Sequence, residues 1–245
     1  MSPLARFRIF GIPVSIHASV LFVVVVLGWA SGFQELASMA VWGLVVFVSL
    51  MVHEMGHALT ARSYGSEVAI ELNGLGGLTR WSAPPKGMTP GRTALVSAAG
   101  SASGFLLAGV AWVVSEIWGP FGGLAGLGVR VLFYVNIVWG LLNWLPVRPL
   151  DGGHLLLAFL ARVAPQRGEA IARGIFIATA GIAVLVAFRY RMLFIGIFAA
   201  WALMGEFAGS RQDSVAIPKF SYDDPPEADP GDGAVPETLA DEEPG

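Results

Sequence analysis

His53 and His57 stand four residues apart, with Glu54 directly after the first of them, in the segment His53-Glu54-Met55-Gly56-His57. On a helix this spacing puts both imidazoles on one face, about one turn apart. Two ring nitrogens so placed suit one zinc ion, and the glutamate between them is left free to act as a base. The surroundings sharpen this reading. From Leu44 to Leu59 the chain runs LVVFVSLMVHEMGHAL, and these three side chains are its only ionisable ones. Ionisable groups in lipid cost several kcal/mol each, so they are seldom kept there without a task.

A hydrolytic zinc site typically takes three protein ligands and keeps one position open. The chain has no cysteine, so the third ligand must be His, Asp or Glu. Asp151 is the only aspartate before Asp213, and it sits in Asn143-Trp144-Leu145-Pro146-Val147-Arg148-Pro149-Leu150-Asp151-Gly152-Gly153-His154. Taken alone, Asp151 reads equally well as a helix N-cap or as a ligand. The histidine pair tips the balance toward the ligand. In that arrangement Glu54 would hold and shuttle the proton of a water whose pKa the metal brings down toward ~7. His154 is near enough to reach the site or to face the cytosol, and it stays outside the ligand set. His17 reads as an interfacial or hydrogen-bonded histidine.

The elements that must carry these groups are apolar. Hydrophobic residues make up 55% of the 245 positions and charged residues 13%, about half the charged share of a soluble domain. Six stretches fit membrane spans, at about 13–30, 36–64, 92–118, 129–145, 171–188 and 192–207. The expected fold is therefore an all-α multi-pass membrane protein. A short Gly-rich re-entrant or hairpin segment, Asn73–Leu78, follows the second helix. It reads either as an extended strand beside the metal, able to hold an unwound substrate, or as an ordinary cytosolic turn. The first stretch has a basic start like a signal peptide, but further spans follow and no clear cleavage site is visible. Pro146 and Pro149 end the fourth helix. Asn136, Gly140 and Asn143 share a helical face, suited to helix packing or to a polar site wall. Glu116 and Glu206 lie at span ends, where interfacial exposure accounts for them, and Trp29, Trp118 and Trp144 read as interfacial anchors.

Residues 1–208 form the expected membrane domain. The remainder, 209–245, holds 10 of the 18 acidic residues and several prolines, and reads as a disordered acidic tail. Of the 15 Lys and Arg, 12 fall on one side when both termini are cytosolic, and only Arg130, Arg189 and Arg191 fall on the other. That topology brings His57 and Asp151 to similar depth near the cytosol. No basic patch invites nucleic acid.

The two motifs together resemble the site-2 protease family of intramembrane zinc metalloproteases. That family pairs His-Glu-x-x-His on one membrane helix with an Asn-x-x-Pro-x-x-Pro-Leu-Asp-Gly type motif on a later one. Both are complete here, at His53–His57 and Asn143–Gly152, in the same order. The resemblance covers roughly 1–208 and implies one zinc held by His53, His57 and Asp151, with Glu54 as catalytic base. It also implies Asn143 near the site, holding substrate backbone or the developing oxyanion. One departure stands out. Many members have Gly-Pro-x-x-Asn early in the third helix, where this chain has Gly100-Ser101-Ala102-Ser103-Gly104. Neither a PDZ-type nor a nucleotide-sensing accessory module is expected.

The implied activity is hydrolysis of a peptide bond within a transmembrane segment of another protein, as in signalling cascades that use regulated intramembrane proteolysis. The implied partners are that substrate and the bilayer, and a homo-oligomer is left open. A metal-binding membrane transporter without protease activity is the alternative. Transport predicts ionisable residues at successive depths on several helices, and here they gather near one side.

Overall fold

Large apolar side chains cover the outside of this molecule, and small or polar ones fill much of its inside. The computed structural model of the chain describes residues 3–74, 76–119 and 121–207. The predicted acidic tail, 209–245, lies outside the described residues. In chain order the elements are β1 (Ala5–Ile9), β2 (Ile12–Ile16), α1 (Ala18–Ala30), α2 (Leu36–Ser63), β3 (Val68–Asn73), β4 (Gly76–Trp81), α3 (Pro90–Trp118), α4 (Gly123–Asn143), α5 (Asp151–Val163), α6 (Gly168–Arg189) and α7 (Leu193–Phe207). Leu44, Leu106, Leu185 and Phe188 all point outward. α3, by contrast, turns Gly100, Gly104, Ala108 and Ala111 inward, and it packs on both α2 and α4. An apolar exterior around close-packed small residues is how helices associate when the solvent is lipid.

Four helices, α2, α3, α4 and α6, are long and apolar enough to cross a membrane. α1 and the Ile195–Phe207 part of α7 are apolar but shorter. At 13 residues, α1 would reach about 20 Å, short of the ~30 Å hydrocarbon core. Every one of the six expected stretches holds a helix, but the first begins later than expected, because residues 12–16 form a strand.

The expectation of an all-helical chain also omits a four-stranded sheet in the order β1-β2-β3-β4. β1 and β2 form a hairpin, Phe10 and Gly11 taking positive φ at 50° and 77° in its two-residue turn, the conformation that matches strand twist. β2 lies parallel to β3, and β3 pairs antiparallel with β4, with Asn73 opposite Gly76 across the Gly-rich segment. Ile12, Val14, Ile70 and Leu72 are fully buried from this sheet against Leu50, Met51, Met55, Ala58 and Ala61 of α2. The sheet thus braces the half of α2 that carries the histidines.

Polar pairs fix the other neighbours of α2. Trp42 Nε1 donates to Val24 O of α1 at 2.9 Å. Asn136 of α4 is buried and donates from Nδ2 to Ser49 Oγ at 2.9 Å and to Leu132 O at 2.8 Å. Gly140 faces the Phe105 ring so closely that a Cβ would overlap it. Asn136 and Gly140 therefore serve helix packing.

The two glutamates at span ends part company. Glu116 is exposed as expected, but Glu206 is buried, with its carboxylate 3.9 Å from the Arg148 guanidinium. α7 folds back on α6 and covers the 144–150 loop, and it is this return that removes Glu206 from the interface. Trp29, Trp118 and Trp144 are exposed.

Candidate metal centre

α2 sets the first part of the site. His53, Glu54 and His57 are each less than a tenth exposed, and helical spacing puts the two imidazoles edge to face with Nε2 atoms 3.1 Å apart. The His57 Nδ1–H donates to the main-chain oxygen of Val96 at 2.7 Å. A carbonyl can only accept, so that bond keeps the proton on Nδ1 and leaves the Nε2 lone pair facing the site.

α5 supplies the second part. Pro146 and Pro149 deny the 144–150 loop a helical path, and the loop doubles back over the first turn of α5. A Cβ at Gly152 would run into Trp144 O and Leu145 O, so this close return needs glycine there. Arg148 holds the loop from the other side, stacked over the Phe176 ring and near Glu206 and Glu169. Asp151, at the head of α5, is thereby aimed inward. Its Oδ2 lies 3.4 Å from His53 Nε2 and its Oδ1 3.3 Å from His57 Nε2. Burial works against ionisation of Asp151, but the two imidazoles outweigh it and hold the carboxyl below the usual carboxylate range. The N-cap position of α5 falls to Leu150, and Asp151 is the first helical residue.

His53, His57 and Asp151 form the one such group among the described residues, with ligand atoms all within 4.8 Å of one another. Zn–N and Zn–O bonds of ~2.0–2.1 Å at tetrahedral angles separate neighbouring ligand atoms by about 3.3 Å. The two imidazole nitrogens, 3.1 Å apart, match that edge length, and each has a different Asp151 oxygen at a similar distance, 3.4 Å for His53 and 3.3 Å for His57. Two imidazole nitrogens and a carboxylate oxygen are also a donor set typical of catalytic zinc.

Glu54 lies beside this triangle. Thr79 Oγ1 of β4 approaches its Oε2 at 2.7 Å. Asn143, at the end of α4, is partly buried where the 144–150 loop departs. His17 is at the N-terminus of α1, with its main-chain N–H bonded to Leu72 O. His154 lies one turn into α5, where burial, the largest influence, pushes its imidazole below the ordinary value. Neither is in the ligand group.

Two neighbours of the site, Ser101 and Gly100, escape a reading of the sequence, and a third, Gly77, lies in the Gly-rich segment read as a possible strand beside the metal. Ser101 of α3, fully buried, directs its hydroxyl at Asp151 Oδ2 over a long 3.4 Å. The departure at Gly100-Ser101 was the only sign of it. At Gly77, a Cβ would collide with the Glu54 carboxylate. At Gly100, a Cβ would collide with the His57 imidazole. Gly100→Ala is therefore expected to weaken zinc binding about 10- to 100-fold by displacing a ligand. It should also cost about 1–3 kcal/mol of stability through overpacking. Chelator competition and thermal melting measure the two, and unchanged zinc affinity would mean that the imidazole can yield.

Comparison with known proteins points to zinc metalloproteases. The model of Peptidase family M50 matches residues 123–188, the stretch that contains Asn143 and Asp151. A zinc metalloprotease of Methanocaldococcus jannaschii is 32% identical over 161 residues, covering 64% of this chain and 45% of that protein. A putative zinc metalloprotease of Mycobacterium tuberculosis is 30% identical over 245 residues, 86% of this chain and 58% of that protein. A putative zinc metalloprotease of Synechocystis is 30% identical over 176 residues, 66% of this chain and 45% of that protein. The chain thus spans roughly half the length of the curated relatives it matches. Among solved structures, the site-2 protease from Methanocaldococcus jannaschii superposes with a TM-score of 0.61 at 26% identity, covering 87% of this chain and 98% of that one. The resemblance carried by the two motifs is borne out by family model, sequence relatives and structure alike.

Proposed function

We propose that this relative of the family M50 site-2 proteases is a membrane-embedded zinc endopeptidase that cuts a peptide bond within a transmembrane segment of another protein. The observation that carries the reading is the convergence of His53, His57 and Asp151, with ligand atoms within 4.8 Å of one another, next to Glu54 on the same helix as the histidines. Bound zinc supplies Lewis acidity, which makes water nucleophilic near neutral pH and polarises a carbonyl. His53, His57 and Asp151 hold the ion. Glu54 takes a proton from the attacking water as the new C–O bond forms, and passes it to the amide nitrogen as the C–N bond breaks. The products are a carboxylate and an amine. Asn143 takes the role of holding substrate backbone or the developing oxyanion.

Two further features support a membrane-protein substrate. A transmembrane helix hides its peptide bonds in internal hydrogen bonds, so it must unwind before water can attack. β4 ends the sheet order, and its Gly77 lies against Glu54, so an unwound segment can add to that edge as a strand next to the base. His57 is also only six residues from the end of α2 at Ser63, or about 9 Å along the axis. The excess of Lys and Arg puts that end, and both termini, on the cytosolic side, where water can reach the ion. Six membrane passes belong to this proposal, four by the long helices and two by the shorter α1 and α7 where the bilayer thins around them, with regulated proteolysis as its setting.

The test is cleavage in proteoliposomes holding the purified protein and a single-span substrate. A zinc chelator is expected to stop cleavage and added zinc to restore it. Zinc uptake into the vesicle lumen without cleavage would instead establish the transport reading.

A further inference from the structure

Glu54 is buried, and a glutamate side chain has three rotatable bonds through which to miss its target. Something must hold it. α2 cannot do so, because the donors of its backbone are spent within the helix. The donor comes from the sheet. Thr79 Oγ1 lies 2.7 Å from Glu54 Oε2 and 3.1 Å from Glu54 O, and both residues are buried. A hydroxyl has one proton to give. The shorter contact lies in the range of charge-assisted O–H···O⁻ bonds, so the carboxylate is the acceptor that the geometry favours.

The same strand touches the carboxylate a second time. Gly77 and Thr79 share a face of β4, since side chains alternate along a strand. A Cβ at Gly77 would overlap Glu54 Oε1, Cδ and Cγ. β4 thus binds one carboxylate oxygen through a hydroxyl and confines the other with bare backbone. Register sets this arrangement, with Thr79 opposite Ile70 and Gly77 opposite Leu72, and both partners fully buried. A slip of one residue would bring Leu78 or Arg80 to Glu54 instead. Thr79 is also β-branched, so few rotamers are open to its hydroxyl.

We propose that Thr79 is a positioning residue for the Glu54 base: its hydroxyl grips Oε2 and, with Gly77 against Oε1, fixes the one orientation in which the carboxylate meets the reacting water. This rests on the peptidase reading above and adds to it a residue outside both sequence motifs. A misplacement near 1 Å costs on the order of 100-fold in rate, which bounds what the grip can contribute.

The experiment compares Thr79→Val, Thr79→Ala and Thr79→Ser with the wild type in the proteoliposome assay, and measures zinc content and melting temperature for each. Val keeps the shape and loses the hydroxyl, Ala gives a second loss of the hydroxyl should Val not fold, and Ser restores the hydroxyl alone. The expected result for Val and Ala is a fall in kcat of roughly 10- to 100-fold at unchanged KM and full zinc occupancy. Ser should recover kcat to within about threefold of wild type if the hydroxyl is what matters. In a Glu54→Gln background, Thr79→Val should cause no further loss, since the two act as one unit. Wild-type kcat in the Val or Ala protein overturns the proposal. So does a Ser protein as slow as Val, which would assign Thr79 to packing, or a loss of zinc that tracks the loss of rate. A wild-type protein that cleaves nothing sinks the peptidase reading itself, whereas cleavage indifferent to Thr79 sinks only this inference.

Discussion

Asp151→Ala is expected to strip the protein of stoichiometric zinc and to abolish cleavage. Two imidazoles would remain, and catalytic zinc is ordinarily held by three protein ligands. Neither Ser101 nor His154 can step in. Ser101 offers a neutral hydroxyl, already 3.4 Å from Asp151 Oδ2, and His154 lies a turn along α5, outside the ligand group. The loss should be larger than that caused by a residue that merely supports a ligand, for which about 10- to 100-fold in affinity is usual. Zinc per chain should fall from one to near zero after dialysis against a weak chelator, measured by elemental analysis. The fold should survive, because Arg148, Phe176 and the buried Val147 hold the 144–150 loop independently of Asp151. A dialysed Asp151→Ala protein that still carried one zinc per chain would remove Asp151 from the ligand set.

Glu54→Gln is expected to behave in the opposite way, keeping the metal and losing the chemistry. The amide has the same shape as the carboxylate, its oxygen can still accept from Thr79, and Gln fits against Gly77 as Glu does. What it lacks is a basic oxygen to take a proton. General acid–base assistance contributes about 10²- to 10⁴-fold, so cleavage should fall by that factor at unchanged zinc content. Rapid cleavage by Glu54→Gln would dismiss Glu54 as the base. The two variants together separate holding the ion from using it.

Much of this could be read from residue types alone. The histidine pair was legible because helical spacing is fixed by geometry, so residues four apart must share a face whatever surrounds them. The long helices were legible because stretches as apolar as those in α2 and α6 have few other places to go. Asp151 was legible through its Pro-rich approach, but whether it was ligand or cap was not. In the fold Leu150 takes the N-cap position, and the Asp151 carboxylate lies 3.3 to 3.4 Å from both imidazoles.

The misses have a common cause. β2 falls within an expected helical stretch because its apolar residues lead, with only short polar interruptions, into α1, and β1 falls in the head before that stretch. The alternation of Arg6, Phe7, Arg8 and Ile9 is too short to outweigh it, and only pairing with β3 makes β2 a strand. Glu206 was assigned to the interface by its place at a span end, and it is buried because α7 returns onto the 144–150 loop and Arg148. Gly100 and Ser101 look like ordinary small residues until the residues opposite them, His57 and Asp151, are known.

The order of residues along the chain therefore settled which chemistry is within reach: nitrogen and oxygen donors, no thiolate, and a carboxylate next to one histidine. It also settled that most of the chain is helical, since local periodicity and hydrophobicity act over neighbouring residues only. Which oxygen meets which nitrogen, and which strand lies against the base, was decided by packing between segments up to about 100 positions apart. Glu54 and Thr79 are 25 residues apart in the chain, yet their oxygens are 2.7 Å apart in space. No local rule carries that distance, because it depends on the summed path of every turn between them.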